Sequence, residues 1–289
     1  MRLNNLLLFT GTLFVSLFCR AGVDSNTTSR EIINSMLQSI DRIQTLKYTF
    51  KSYERFGDET EYSEFDVKMS VNPFRVYMLT KSKRNQGVEV LYIHGQNNNK
   101  ALVNAGKWLP NLWFSPYSSR MRERQHNTLL QSGFGTLATI VRAAVKRADN
   151  ERPGEFGRYF RYEGDITWEG RPCYKLVIED PEFQYVNYTV QEGEDINSIA
   201  ARKMICGYLI LEKNGLKNFD DLKPGMTVKI PTSYAKKTIL YIDKATLLPI
   251  VQIMFDEKGQ FERYEFHNLQ INPALSEKEF TPDYEGYGF

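Results

Sequence analysis

Histidine and cysteine are the side chains that most readily ligate metals or act as bases and nucleophiles near neutral pH, and the 289-residue chain holds three of each. His94, His126 and His267 stand far apart, and none belongs to a His-Glu-x-x-His pair. Cys173 lies in an alternating strand pattern without the neighbours of a nucleophile. His126, between Gln125 and Asn127, reads as a helix-entry or loop-packing residue. No Gly-x-Ser-x-Gly elbow and no glycine-rich phosphate loop occurs. A glycosidase needs two carboxylates placed across a cleft; with 35 Asp and Glu, acids are plentiful, yet the pattern singles out no pair. A non-enzymatic protein without cofactor or metal is the expectation, with a hydrolase as one alternative.

The clearest spaced motif is "YTVQEGEDINSIA", Tyr188 to Ala200. Gly193 permits a tight strand-to-helix turn, and Glu194 or Asp195 can cap the helix that follows. Ile210, Leu211 and Asn214, then "DDLKPGMTVKIP", continue the pattern to Pro231. The stretch closely resembles a LysM domain, with about a dozen positions agreeing in type and spacing; Asp195 in place of a Thr and Met204 in place of a small turn residue are departures. The resemblance implies a βααβ module over residues 188–231 that binds N-acetylglucosamine-containing glycans such as peptidoglycan. It places the groove at Gly193, Glu194, Asp195 and Ile196 on one side and Asn214, Gly215, Leu216 and Lys217 on the other, facing away from the host.

At the N-terminus, Arg2, an apolar run from Leu6 to Phe18, and Cys19 and Ala21 at the −3 and −1 places predict a signal peptide over residues 1–21, cut before Gly22. The run is shorter than the roughly 20 residues that span a bilayer, so no transmembrane segment is read. Phe18 before Cys19 argues against lipidation. A periplasmic protein is expected. Residues 1–21 contain Arg2 and Arg20 and no acid, leaving 35 basic and 35 acidic residues in the mature chain. A net charge of zero argues against nucleic-acid binding. Cys173 and Cys206 are too few to staple the fold and read as buried small apolar residues, with pairing as the alternative that export permits.

The positioning elements follow from periodicity. Thr28 and Glu31 suggest a capping box before Ile32, Ile33, Met36, Leu37, Ile40 and Ile43 at helical spacing. From Leu46 the period becomes two, through Tyr48 and Phe50, then Phe65, Val67 and Met69, with further strands to Val103. An aromatic loop (Trp108, Trp113, Phe114, Tyr117) precedes a second helix carrying Leu137, Ile140 and Val141 on one face. Strands resume at Tyr159–Tyr162 and Tyr174–Ile178, and after the module at Thr238–Asp243, Ile250–Phe255 and Phe261–Ile271. This order predicts an α+β fold with helices laid on one large antiparallel sheet.

That order, with "YIDKATLLPIVQIMFDEKGQFERYEFHNLQIN", resembles the LolA-like exported half-barrels. "LYIHGQNNNKALVNAGKW" and "RQHNTLLQSGFGTL" resemble an uncharacterised bacterial branch of that superfamily. The resemblance implies a host domain made of residues 22–187 and 232–289, with a curved sheet whose concave face takes a lipid or lipoprotein. Tyr48, Phe50, Phe65, Val67 and Met69, with Leu137 and Ile140 from the covering helix, are the lining it implies. A host whose core is solid, leaving glycan as the only ligand, is the other alternative.

Overall fold

The computed structural model describes residues 25–106, 109–151 and 153–289; the signal-peptide reading of residues 1–21 and Trp108 of the aromatic loop lie outside them. Helix α1 (Ser25–Asp41) leads into β1 (Thr45–Phe56), β2 (Glu59–Ser70), β3 (Arg75–Thr80), β4 (Glu89–Ile93), β5 (Ala101–Asn104) and β6 (Leu112–Phe114). Helix α2 (Gly135–Glu151) and the single turn α3 (Phe156–Tyr159) precede β7 (Phe160–Trp168) and β8 (Arg171–Glu179). Then come β9 (Tyr185–Thr189), α4 (Ile196–Lys203), α5 (Gly207–Lys213) and β10 (Thr227–Pro231). The chain closes with β11 (Lys237–Asp243), β12 (Pro249–Phe255) and β13 (Gln260–Ile271).

Eleven strands form one sheet in the order β6-β5-β4-β3-β2-β1-β13-β12-β11-β8-β7, and the registered pairs are antiparallel throughout. This is the α+β architecture that the alternation in the sequence implies. Two points of detail differ. Helix α1 starts at Ser25, so Thr28 lies inside it and not at its N-cap. The β1–β2 hairpin has arms of twelve residues, because its turn at Gly57, with φ +62°, lets pairing continue outward to Phe56 and Glu59.

Helix α1 buries Ile32, Ile33, Met36 and Ile40, and α2 buries Leu137, Ala138 and Val141, against the concave face. The opposite face is covered near β3–β5, where Tyr77, Leu91 and Leu102 pack beneath Phe280 of the C-terminal segment. Tyr287 stacks on Tyr77 with centroids 3.7 Å apart, and the Gly288 amide donates to Glu89 Oε2 at 2.7 Å.

Strand β9 pairs with β10 in a separate two-stranded sheet that begins at Tyr185, three residues before the expected start of the motif. The unit has its own core, including Val190, Ile196, Ile199, Ile210 and Val228. It bridges β8 and β11, which pair directly from Glu179 opposite Lys237 to Cys173 opposite Asp243. It is not held by its two tethers alone: Cys206, Tyr208 and Leu209, at the start of α5, are buried in the host core. Cys173 and Cys206 are both buried free thiols. They lie in different clusters, Cys173 beside Ile250 and Cys206 in the main core.

Candidate functional site

Alternation along β1 turns Tyr48, Phe50, Ser52 and Glu54 to one face. The register then sets Tyr48 opposite Val67 and Phe50 opposite Phe65 on β2. On the other side, Phe50 faces Phe266 and Glu54 faces Glu262 on β13. Under α2 this surface leaves a cavity of about 90 Å³ lined by Tyr48, Phe50, Phe65, Val67, Leu137 and Ile140. Met69 is the exception among the expected lining residues. It lies in the core against Gly133, whose added Cβ would meet Met69 Sδ at 2.9 Å, and it faces a different pocket beside α1. The Tyr48 hydroxyl accepts from the Gly133 amide at 3.0 Å, and burial pushes its phenol well above the ordinary range.

The cavity is the middle one of three that share lining residues and form a track, with Glu61, Arg84 and Arg124 among the lining of the end toward β5 and β6. Phe65, Met78 and Leu129 are shared with a cavity of about 300 Å³ toward β5 and β6, rimmed by the exposed Leu109 and Leu112. Leu137, Ile140 and Met254 are shared with one of about 80 Å³ between α2 and β11.

In the module, Asp195 caps α4: its carboxylate accepts from the Ser198 amide at 2.7 Å, and the Ser198 hydroxyl receives the Asp195 amide at 2.9 Å. Burial pushes the Asp195 carboxyl up, but the bonds from Ser198 and Asn197 outweigh it and hold the group below its usual value. Glu194 accepts from the Gln191 amide and the Tyr188 hydroxyl, which hold its carboxyl below the usual range likewise. Asn214 stitches α5 to β10, donating to the carbonyls of Ile210 and Lys229 at 2.7 and 2.8 Å and accepting from the Lys229 amide. Leu216 packs on the module core. Ile196 does not present its side chain outward: it is fully buried, and its amide donates to the Phe219 carbonyl at 3.4 Å. Gly193, Gly215 and Lys217 are exposed. Gly193 has φ +77°, the left-handed turn its position requires.

Between host and module lies a polar cluster that local spacing does not reveal, since its members come from positions 54, 126 and 262. Glu54, His126 and Glu262 are all buried and offer ligand atoms within 4.8 Å of one another. His126 Nδ1 lies 3.0 Å from Glu262 Oε1, and Nε2 lies 2.8 Å from the Arg55 carbonyl oxygen. Glu54 accepts from the His126 amide at 3.0 Å and the Tyr264 hydroxyl at 2.6 Å. Glu262 accepts from the Tyr234 hydroxyl at 3.0 Å and the Cys206 thiol at 3.6 Å. Burial raises the Glu54 carboxyl, with Glu262 adding to the rise and His126 opposing it. Burial likewise lifts the Cys206 thiol and the Tyr234 and Tyr264 phenols. Arg122, on the loop before His126, donates to the His126 carbonyl and to Asn197 of α4, and its guanidinium lies 3.2 Å from the centroid of the Phe219 ring. Burial pushes Arg122 down to about 10. A cavity of about 310 Å³ opens beside this junction, walled by Arg122, His126 and Ile140 of the host and Asn197, Ala201 and Met204 of the module. Period-two alternation from Tyr48 puts Glu54 on the concave face, and from Phe266 it puts Glu262 there; their meeting with His126 depends on the return of β13 beside β1.

Among solved structures, the lipoprotein LppX from Mycobacterium tuberculosis is similar over 87% of this chain and 99% of its own, with 11% identity and TM-score 0.41. A LolA superfamily protein from Nitrosomonas europaea is similar over 89% and 98%, with 11% identity and TM-score 0.35. A DUF1329 family protein from Desulfovibrio piger is similar over 90% and 98%, with 11% identity and TM-score 0.35. No curated protein matches the sequence. The family described as "Protein of unknown function (DUF1571)" matches residues 43–190, more than half of the chain, and the LysM domain matches residues 188–231. The chain therefore belongs to the DUF1571 family and carries a LysM domain next to the matched host segment.

Proposed function

We propose that this is an exported, non-enzymatic envelope protein that attaches to peptidoglycan through its LysM domain and holds an acyl chain between its sheet and α2. The observation that carries the reading is this track of three adjoining cavities, which share Phe65, Met78 and Leu129 on one side and Leu137, Ile140 and Met254 on the other. Its wide end, at about 300 Å³, is of the size that small-molecule sites occupy. LysM domains imply glycan recognition, and Gly193, Gly215 and Lys217 stand exposed at the turns of the module, with the amides of Gly215 and Lys217 already bonded to the Glu212 carbonyl and to Asp221. The resemblance of the host sequence to LolA-like half-barrels supports a lipid or a lipid-linked group as the occupant of the track.

The middle of the track favours a second reading. Its volume of about 90 Å³ lies well below the roughly 300 Å³ at which small-molecule sites begin. If the side chains there do not move, the host core is solid and glycan is the only ligand. Mass spectrometry of organic extracts from the native protein, with titration of a fluorescent fatty acid, separates the two. A co-purified lipid and saturable binding support the carrier; an extract without lipid and no saturable binding select the structural protein. Sedimentation with purified peptidoglycan tests the LysM half in either case.

A further inference from the structure

Two carboxylates, Glu54 and Glu262, stand directly opposite each other across β1 and β13 in the buried interior. Like charges in that position repel, and taking them out of water costs several kcal/mol per ion, so the pair needs a counter-charge or a bound proton. Among the described residues no lysine or arginine pairs with either carboxylate: Arg55 pairs with Glu212 and Asp256, and Arg122 gives its bonds to Asn197 and the His126 carbonyl. The partner present is His126.

The imidazole is oriented as a metal ligand is. A carbonyl oxygen can only accept, so the Arg55 carbonyl at 2.8 Å requires the proton on Nε2, and Nδ1 points at Glu262 Oε1. At 3.0 Å these two atoms share a proton, since two lone pairs would repel. The remaining oxygens are held by outer donors: Tyr264 and the His126 amide on Glu54, and Tyr234 on Glu262. A histidine fixed through its second nitrogen by a carbonyl, with carboxylates fixed by hydroxyls, is the outer-shell pattern of metal sites. Cys206 of the module donates its thiol proton to Glu262 Oε1 at 3.6 Å, but it stands outside the three residues whose ligand atoms all lie within 4.8 Å of one another. Glu54 borders the cavity under α2 and His126 the cavity at the junction, so the cluster can be reached from two sides.

We propose that Glu54, His126 and Glu262 bind one divalent zinc-type cation where the LysM domain meets the host. One imidazole and two carboxylates are a donor set that zinc takes with a fourth position open to water, and the imidazole speaks against magnesium or calcium. On binding, the proton between His126 and Glu262 leaves to solvent. The two positive charges of the ion replace one, and the cluster goes from one net negative charge to neutral.

The test uses the full chain after dialysis against a chelator. Zinc should bind at one equivalent and raise the unfolding temperature. Cobalt in its place should show the visible bands of a four-coordinate ion. Glu262→Gln should weaken zinc binding at least tenfold, while Cys173→Ser leaves it unchanged. Because the Glu262 variant can fail to fold, the wild-type spectrum decides by itself: a folded wild-type protein that gives no four-coordinate bands with one equivalent of cobalt overturns the proposal, as does a folded Glu262→Gln variant that binds zinc as tightly as wild type.

Discussion

The ring of Tyr208 lies on the imidazole of His126, centroids 3.7 Å apart and planes 12° from parallel. One residue belongs to the LysM domain and the other to the host, and the Tyr208 hydroxyl also receives the Gly57 amide at 3.2 Å. The domain is thus an insertion by sequence and part of the core by packing.

Deleting residues 185–231 and joining the ends with a short glycine-rich turn should therefore destabilise the host. The main core loses Cys206, Tyr208 and Leu209, and Glu262 loses a donor. Tyr208→Ala alone should cost about 3 kcal/mol, in the range of large aromatic truncations, measured by urea unfolding. A deletion variant as stable as the intact chain would show that the contact is incidental.

Arg122→Ala should cost about 2 kcal/mol, since the His126 carbonyl loses a charged donor and Phe219 loses its cation. Limited proteolysis should then cut first in the segments leading into β9 and out of β10. An unchanged cleavage pattern argues that Arg122 does not hold the domain in place.

The Asp195 cap predicts a pH dependence. Its carboxyl is lowered in the folded state, so its stabilisation is complete above the unfolded value of about 3.9 and is lost as pH falls through the folded value. Asp195→Ala should cost about 1 kcal/mol at pH 7. Asp195→Asn keeps the acceptor and loses only the charge. The difference between wild type and Asn should shrink below about pH 4, as read by thermal unfolding across pH; a difference independent of pH contradicts the charge-based account.

Ile140 is half-buried and borders the cavity under α2, its neighbour toward β11 and the one at the junction. Ile140→Trp should abolish saturable binding of a fatty-acid probe at a stability cost of about 1 to 3 kcal/mol, and leave sedimentation with peptidoglycan unchanged. Probe binding at wild-type affinity would place the acyl chain elsewhere.

Strand alternation makes much of the host legible in the sequence, because period two fixes which residues share a face. Tyr48, Phe50, Phe65 and Val67 meet through the direct β1–β2 register. Met69 shares their face, yet it lies two residues further along β2, where Gly133 at φ +77° brings the chain close and closes the space. Ile196 differs for another reason: helix α4 turns its side chain into the module core, which leaves only its backbone for a groove. The cluster at Glu54, His126 and Glu262 is invisible to spacing because a His–Glu approach across 136 residues depends on tertiary topology.

The middle of the large sheet joins the earliest strand to the last, with Thr49 paired to His267 across 218 residues. A chain emerging from its N-terminus can assemble β1 to β6 as successive hairpins, but β12 and β11 find their place beside them only after β13 has arrived. Pairings of such sequence separation make folding slow, on the order of milliseconds to seconds or longer. Until β13 is available, the half of the sheet that runs from β12 to β7 has no strand to join it to β1. A polypeptide drawn through a narrow channel N-terminus first would accordingly stay incompletely folded until the passage is nearly over, and a truncation that removes β13 would leave an open edge at β1 that invites pairing with other chains.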